Sequence, residues 1–302
     1  MGTRIFSDTF ENTKLEYRRD IDGLRAIAVL LVVTYHGFPQ SFKGGFLGVD
    51  IFFVLSGFLI TSLISNNINS TEFSLRQFYA SRIRRIFPSL IIMMTSCLVV
   101  GWFVLRSEEF AQLGNETLAG SLFYSNFYYL SQDNYFDVAS EIKPFLHLWS
   151  LAIEEQFYVF FPIFFIFLSK LLKNHNNRLL AIVILATCSF AACFLLTDSP
   201  SLAFYLPVTR WWEILFGGAL ALSSAKSRRK VAHSNLFALV GVASIAIGVI
   251  LASVVQPFST YLGAPVVIGA LVIIAKGRDS KLVNFIFGGN LLVLIVKISY
   301  PL

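Results

Sequence analysis

Long apolar runs recur along this chain from residue 26 to residue 296, separated by short polar or basic connections. The composition is 56% apolar and only 14% charged, about half the charged share of an ordinary soluble domain. That pattern excludes a disordered chain, a secreted disulfide scaffold and a soluble α/β enzyme. The sequence therefore predicts a polytopic membrane protein.

The apolar runs also predict the number of helices, because a transmembrane helix needs about 20 residues. The first predicted span begins near Ile21, and the others cover residues 46–64, 86–105, 146–168, 179–196, 208–222, 236–255, 261–275 and 282–296. Residues 118–130 are predicted to form an interfacial or re-entrant helix. The predicted fold is an all-α polytopic bundle of about 9–10 transmembrane helices with that one non-crossing segment.

The basic residues indicate how the chain is oriented. They cluster in alternate connections, including residues 18–19, 76–85, 170–178, 226–230 and 276–281. Such connections normally face the cytoplasm, so we expect a cytoplasmic N-terminus. These clusters account for the net charge of +6. Because they lie between apolar runs, we expect membrane lipids as their partners and not nucleic acid.

Ionisable residues inside apolar spans are costly and indicate where chemistry can occur. His36 ends the first span and Asp50 lies early in the second, so a histidine base oriented by a carboxylate is one interpretation; an interfacial histidine bound to headgroups is the other. Glu154 and Glu155 lie in the fifth predicted element, where Glu154 shares a helix face with Tyr158. These two carboxylates act either in the chemistry or in a structural role, hydrogen-bonded to neighbouring helices or paired with Arg210.

The segment 66–87 is predicted to contain a short amphipathic helix capped by Ser70 or Thr71. Arg82 and Arg85 share a face near its end and, with Arg25 of the first helix, could form an anion site suited to phosphate groups. The alternative is a positive anchor for anionic lipid. Arg210 and Glu213 are three residues apart, a spacing typical of an architectural ion pair. The sequence has no set of His, Cys and carboxylate residues at metal-ligand spacing, and no metal is expected.

Four segments resemble one family, the acyltransferase-3 or O-antigen O-acetylase type. They are YRRDIDGLRAIA at residues 17–28 followed by His36, GFLGVDIFFVLSGFLIT at 45–61, RIRRIFP at 82–88 and LHLWSLAIEEQFY at 146–158. The resemblance extends over residues 17–302 with the segments in the family's order.

This resemblance implies an O-acyltransferase of the bacterial inner membrane. Such an enzyme takes an acyl group, usually acetyl, from cytoplasmic acetyl-CoA and delivers it to a hydroxyl of a cell-envelope carbohydrate, such as O-antigen lipopolysaccharide or an exopolysaccharide. Family roles place Arg25, Arg82 and Arg85 on the donor's phosphates. They make His36 the essential base or acyl carrier, with Asp50 orienting it and Glu154 and Glu155 assisting.

Family members continue beyond the point that corresponds to Leu302, and many carry a periplasmic SGNH-type domain. We therefore expect residues 1–302 to be one acyltransferase-type transmembrane domain, truncated at its C-terminal end, with that domain absent or supplied by a partner. Two other functions compete with acyl transfer. One is a carrier or channel for a polar solute, since intramembrane charges also mark permeation paths, and the other is an inactive truncated remnant.

Overall fold

The computed structural model describes residues 18–68, 74–132, 143–224, 234–255, 260–277, 280–287 and 289. These residues form twelve α-helices: α1 (Arg19–Gly37), α2 (Gly48–Asn67), α3 (Leu75–Val104), α4 (Ser107–Ser121), α5 (Ser125–Leu130), α6 (Leu148–Leu171), α7 (His175–Leu195), α8 (Pro200–Tyr205), α9 (Trp211–Ser224), α10 (Ser234–Val254), α11 (Ala264–Lys276) and α12 (Lys281–Phe287). This part of the chain contains no β-strand. The predicted all-α class is confirmed.

Five helical segments in the described ranges are long and apolar enough to cross a membrane: Lys43–Asn67, Leu75–Val104, Leu148–Leu171, His175–Leu195 and Ser234–Val254. Helices α1, α9 and α11 occupy three more of the predicted spans. Of the last predicted span, 282–296, only the beginning is described, as part of α12.

Helix α2 lies at the centre of the bundle, with 67% of its most apolar window buried. It packs against α9 through glycines, because Gly57 faces the carbonyl of Ile214 and Gly217 faces the carbonyl of Val54. Small residues at such positions allow two helix backbones to approach closely. The α2–α9 contact is therefore made largely by the main chains themselves.

We expect Gly57→Ala to destabilise the protein by about 1–3 kcal/mol, because the new methyl group overlaps the Ile214 carbonyl and forces two backbones apart. Gly114→Ala in α4 is the matched control, since nothing lies within 4 Å of a methyl group there. Alanine's higher helix propensity should leave that variant as stable as the wild type or slightly more stable. The measurement is the thermal midpoint of the solubilised protein, and equal midpoints for both variants would contradict close α2–α9 packing.

Helix α3 differs from the prediction, which divided it into an amphipathic helix and a separate span. It is one continuous helix of 30 residues with Pro88 in its interior. Its N-cap is Ser74, whose hydroxyl accepts a hydrogen bond from the Gln77 backbone N–H at 3.4 Å; the predicted caps Ser70 and Thr71 lie outside the described residues. The cationic residues around Arg82 are thus carried by the same helix as the apolar span.

The predicted non-crossing segment, 118–130, is divided between α4 and α5. The two helices meet at Phe123, which has a φ of 53°, a left-handed conformation that breaks the helical path. Helix α5 has only 6 residues, about 9 Å of rise, which is far too short to cross a bilayer. This segment packs beside α6, where Gln156 donates hydrogen bonds to the Phe123 carbonyl at 2.8 Å and to Asn126 at 2.9 Å.

Candidate active site

The predicted site residues fall into separate groups in the structure. The first, which we call the α3–α6 cluster, consists of Arg82, Glu154, Glu155, Tyr158 and Ser56. Arg82 donates from Nη2 to Glu155 Oε1 at 2.6 Å and lies 3.5 Å from Glu154 Oε1. Its guanidinium carbon is 3.5 Å from the centre of the Tyr158 ring. Of the two structural alternatives, the structure shows hydrogen bonding to neighbouring helices, through Arg82 of α3 and Ser56 of α2, and the carboxylates are not paired with Arg210.

Glu154 is held in place more firmly than Glu155. The hydroxyls of Ser56 and Tyr158 both donate to Glu154 Oε1, at 2.7 and 2.6 Å. The Tyr158 contact follows from the shared helix face predicted by the spacing of four residues. The charged groups of this cluster remain 12–20% exposed, so a ligand can reach them.

Arg82 lies deeper in the bundle than the sequence predicted. It contacts Glu155, which is seven residues beyond the first residue of α6 and about 10 Å along its axis. Nearby, the Tyr79 hydroxyl donates to the Val159 carbonyl at 2.8 Å, which confirms that the first turns of α3 pack against the middle of α6. The sequence had predicted this arginine near the end of a short amphipathic helix that precedes the span at residues 86–105.

The other two predicted anion ligands have different surroundings. Arg85 lies near enough to Glu155 to add to the positive potential there. Arg25 is 3.8 Å from Asp22 in its own helix. The structure thus brings two of the three predicted donor-binding arginines to the α3–α6 cluster.

A second group, the buried triad, consists of Asp50, Arg210 and Glu213. Arg210 is 2.7 Å from Asp50 and 3.0 Å from Glu213, and all three side chains are fully buried. The rings of Phe53, Trp149 and Phe204 surround the guanidinium at 5.4–5.5 Å. Asp50 therefore pairs with Arg210 instead of orienting His36 as predicted, because a buried arginine offers a carboxylate far stronger compensation than an exposed imidazole. The predicted Arg210–Glu213 pair is present.

His36 lies in the last turn of α1 with an exposed side chain. Its Nδ1 is 2.8 Å from the Val32 carbonyl, which can only accept a hydrogen bond, so Nδ1 carries the proton in the neutral ring. Nε2 is then the nitrogen that can accept a proton. The backbone of α1 performs the orienting role that the sequence had given to Asp50.

His147, immediately before α6, is close enough to His36 for their charges to interact. Desolvation lowers the pKa of His147, and the neighbouring His36 lowers it further. A lowered pKa keeps this imidazole neutral at physiological pH. His36 and His147 thus lie within electrostatic range of each other.

Sequence reasoning missed three features of these groups: the role of Ser56, the pairing of Arg82 with the glutamates, and the approach of His147 to His36. All three depend on contacts between helices distant in sequence, such as the 98 residues between Ser56 and Glu154. The one available signal was a hydroxyl residue, Ser56, in the middle of a mainly apolar span.

Comparison with known proteins gives a consistent result. The acyltransferase domain model matches residues 18–302. YrhL of Bacillus subtilis, named as a candidate peptidoglycan O-acetyltransferase, is 41% identical over 215 residues, which cover 68% of this chain and 33% of the relative. The peptidoglycan O-acetyltransferase OatA of Listeria monocytogenes is 34% identical over 256 residues, covering 80% of this chain and 41% of the relative.

A candidate O-acetyltransferase of Staphylococcus aureus strain MSSA476 is 42% identical over 165 residues, covering 53% of this chain and 27% of the relative. The matched segments thus span between about a quarter and two fifths of the length of these curated relatives. No solved structure matches the chain.

Proposed function

Because this chain belongs to the acyltransferase-3 family, we propose that it transfers an acyl group, acetyl in the first instance, from a coenzyme A thioester to a hydroxyl of a cell-envelope carbohydrate. The observation that carries the proposal is the exposed His36 imidazole, held through Nδ1 so that Nε2 can accept a proton. Family membership argues against the carrier or channel alternative.

The reaction requires one proton transfer and one exchange of bonds at the acyl carbon. The acceptor hydroxyl loses its proton to His36 Nε2 as its oxygen bonds to the acyl carbon. The carbon–sulfur bond breaks, and the coenzyme A thiolate leaves and takes up a proton. If His36 instead carries the acyl group, Nε2 bonds to the acyl carbon as the carbon–sulfur bond breaks and the thiolate leaves. In a second step the acceptor oxygen bonds to that carbon as the carbon–nitrogen bond breaks, and the hydroxyl proton passes to the freed Nε2.

Three arginines are proposed to bind the acyl donor. Arg82 and Arg85, with Arg25 on α1, bind the phosphate groups of the coenzyme A nucleotide, because guanidinium groups match phosphate oxygens in charge and geometry. From the level of Glu155 to the start of α6 is about 10 Å. An extended thioester arm of roughly 20 Å, estimated from ordinary bond lengths, covers that distance and reaches beyond it.

For the acceptor, the names of two relatives point to peptidoglycan. We therefore propose a peptidoglycan glycan hydroxyl as the first acceptor to test, ahead of lipopolysaccharide. With the basic connections on the cytoplasmic side, the protein lies in the cytoplasmic membrane with its N-terminus inside, and the acceptor is outside. An SGNH-type domain or partner would act on that outer side.

The test uses sealed membrane vesicles containing this chain, with peptidoglycan oligosaccharides trapped inside and radiolabelled acetyl-CoA added outside. Inverted vesicles, which expose the cytoplasmic face, should label the trapped glycan. Right-side-out vesicles should not. Equal labelling in both orientations would contradict the proposed sidedness, and no labelled glycan from a correctly inserted protein would contradict acyl transfer to peptidoglycan.

A further inference from the structure

In the α3–α6 cluster Arg82 already contacts two carboxylates, whereas the proposed function requires it to bind a phosphate. Arg82 is already bonded to Glu155 at 2.6 Å and lies 3.5 Å from Glu154. Both carboxylates therefore lie within ion-pair distance of the same guanidinium, with Arg85 adding positive potential beside Glu155. A phosphate that approaches Arg82 therefore meets repulsion unless one carboxylate moves away.

The two carboxylates are not equally able to move. Glu154 is retained by the hydroxyls of Ser56 and Tyr158 as well as by Arg82. The Glu155 carboxylate accepts a hydrogen bond from Arg82 and is attracted by the nearby Arg85. Both side chains are partly exposed, 12% for Glu155 and 20% for Glu154, so the difference between them lies in the hydroxyl hydrogen bonds that retain Glu154. Glu155 is thus the carboxylate that an incoming anion would displace.

We propose that Glu155 determines donor affinity by competing with the acyl donor's phosphate for Arg82. In the empty protein Glu155 occupies the guanidinium; when the donor binds, a phosphate oxygen takes the Nη2–H bond and the Glu155 carboxylate turns away. Glu154 stays in place and keeps Arg82 over the Tyr158 ring. This inference rests on the proposed function, since it takes the competing anion to be the phosphate of a coenzyme A thioester.

The proposal predicts that a substitution beside Arg82 strengthens coenzyme A binding instead of weakening it. Glu155→Gln removes the competing charge while keeping the side chain's size, so we expect it to bind coenzyme A about tenfold more tightly than the wild type. Glu155→Asp keeps the charge but shortens the side chain by one methylene, so its hold on Arg82 weakens and binding should tighten by a smaller factor.

The experiment measures the dissociation constant of coenzyme A, the reaction product without the acyl group, by calorimetric titration of the full chain in lipid nanodiscs. Glu108→Gln on the exposed surface of α4 is the control for the change in net charge and should bind like the wild type. Glu154→Gln should tighten binding less than Glu155→Gln. In Arg82→Ala, coenzyme A binding should weaken, and adding Glu155→Gln to it should no longer tighten binding.

Two failures can be told apart. If the wild type binds coenzyme A but Glu155→Gln and Glu155→Asp, both correctly folded by gel filtration, bind it equally or more weakly, Glu155 is a fixed structural partner of Arg82 and the competition is overturned. If the wild type itself binds no coenzyme A, the donor assignment fails, and with it the proposed function.

Discussion

His36→Gln is expected to reduce acyl transfer by about 100-fold or more, while the protein's amount and stability stay unchanged. Glutamine can hydrogen-bond to the Val32 carbonyl as the imidazole does, but it cannot accept a proton at neutral pH or carry an acyl group. The side chain is exposed and contributes little packing. The measurement is the labelling of trapped glycan in inverted vesicles.

His175→Gln is the matched control for this substitution. His175 lies at the start of α7 with Nε2 3.0 Å from the Leu222 carbonyl, and it contacts none of the proposed site residues. That variant should keep normal transfer. Full activity in a well-inserted His36→Gln protein would remove His36 from the mechanism and leave Glu154 or Glu155 as the next candidate base.

The second large effect is expected at the buried triad. Arg210→Ala should destabilise the protein by about 3–5 kcal/mol, because it leaves Asp50 and Glu213 buried without a counter-charge. It also empties the space between three aromatic rings. We expect little folded protein in the membrane and a strongly lowered thermal midpoint in what remains.

The control is Arg84→Ala, which removes an exposed arginine of α3. This variant should keep the wild-type amount of folded protein and the wild-type thermal midpoint. A triple variant separates charge from packing: Arg210→Met with Asp50→Asn and Glu213→Gln fills the space with neutral groups and should recover much of the stability lost in Arg210→Ala. If Arg210→Ala keeps the wild-type midpoint, the triad does not stabilise the bundle. If the triple variant is no better than Arg210→Ala, the guanidinium acts through its shape and contacts with the rings.

Much of the helical framework could be predicted from the sequence because a span is a local property. An apolar run of sufficient length must satisfy its own backbone hydrogen bonds in lipid, and a helix does so without any other segment. The runs that became α2, α6 and α10 are of this kind. The division of α3 failed because the residues before Ile86 are too polar to belong to an apolar run, yet the helix is continuous from Leu75 to Val104.

The site was predictable in its residue types and less so in its pairings. The face shared by Glu154 and Tyr158 follows from helix periodicity alone. By contrast, the choice of Arg82 for Glu155 and of Arg210 for Asp50 depends on which helices become neighbours, across 73 and 160 residues of chain. Charge alone allows several pairings, and only the packing of α2, α3, α6 and α9 selects among them.

The separation of Asp50 and Arg210 along the chain has a consequence for how the protein is made. During synthesis α2 emerges 160 residues before the arginine that neutralises it, which is about 10–30 s at ordinary rates of translation. Throughout that interval the Asp50 carboxylate, in the first turn of α2, lacks the Arg210 partner that it has in the finished bundle. We therefore expect α2 to reach its final, charge-paired environment only when α9 packs against it.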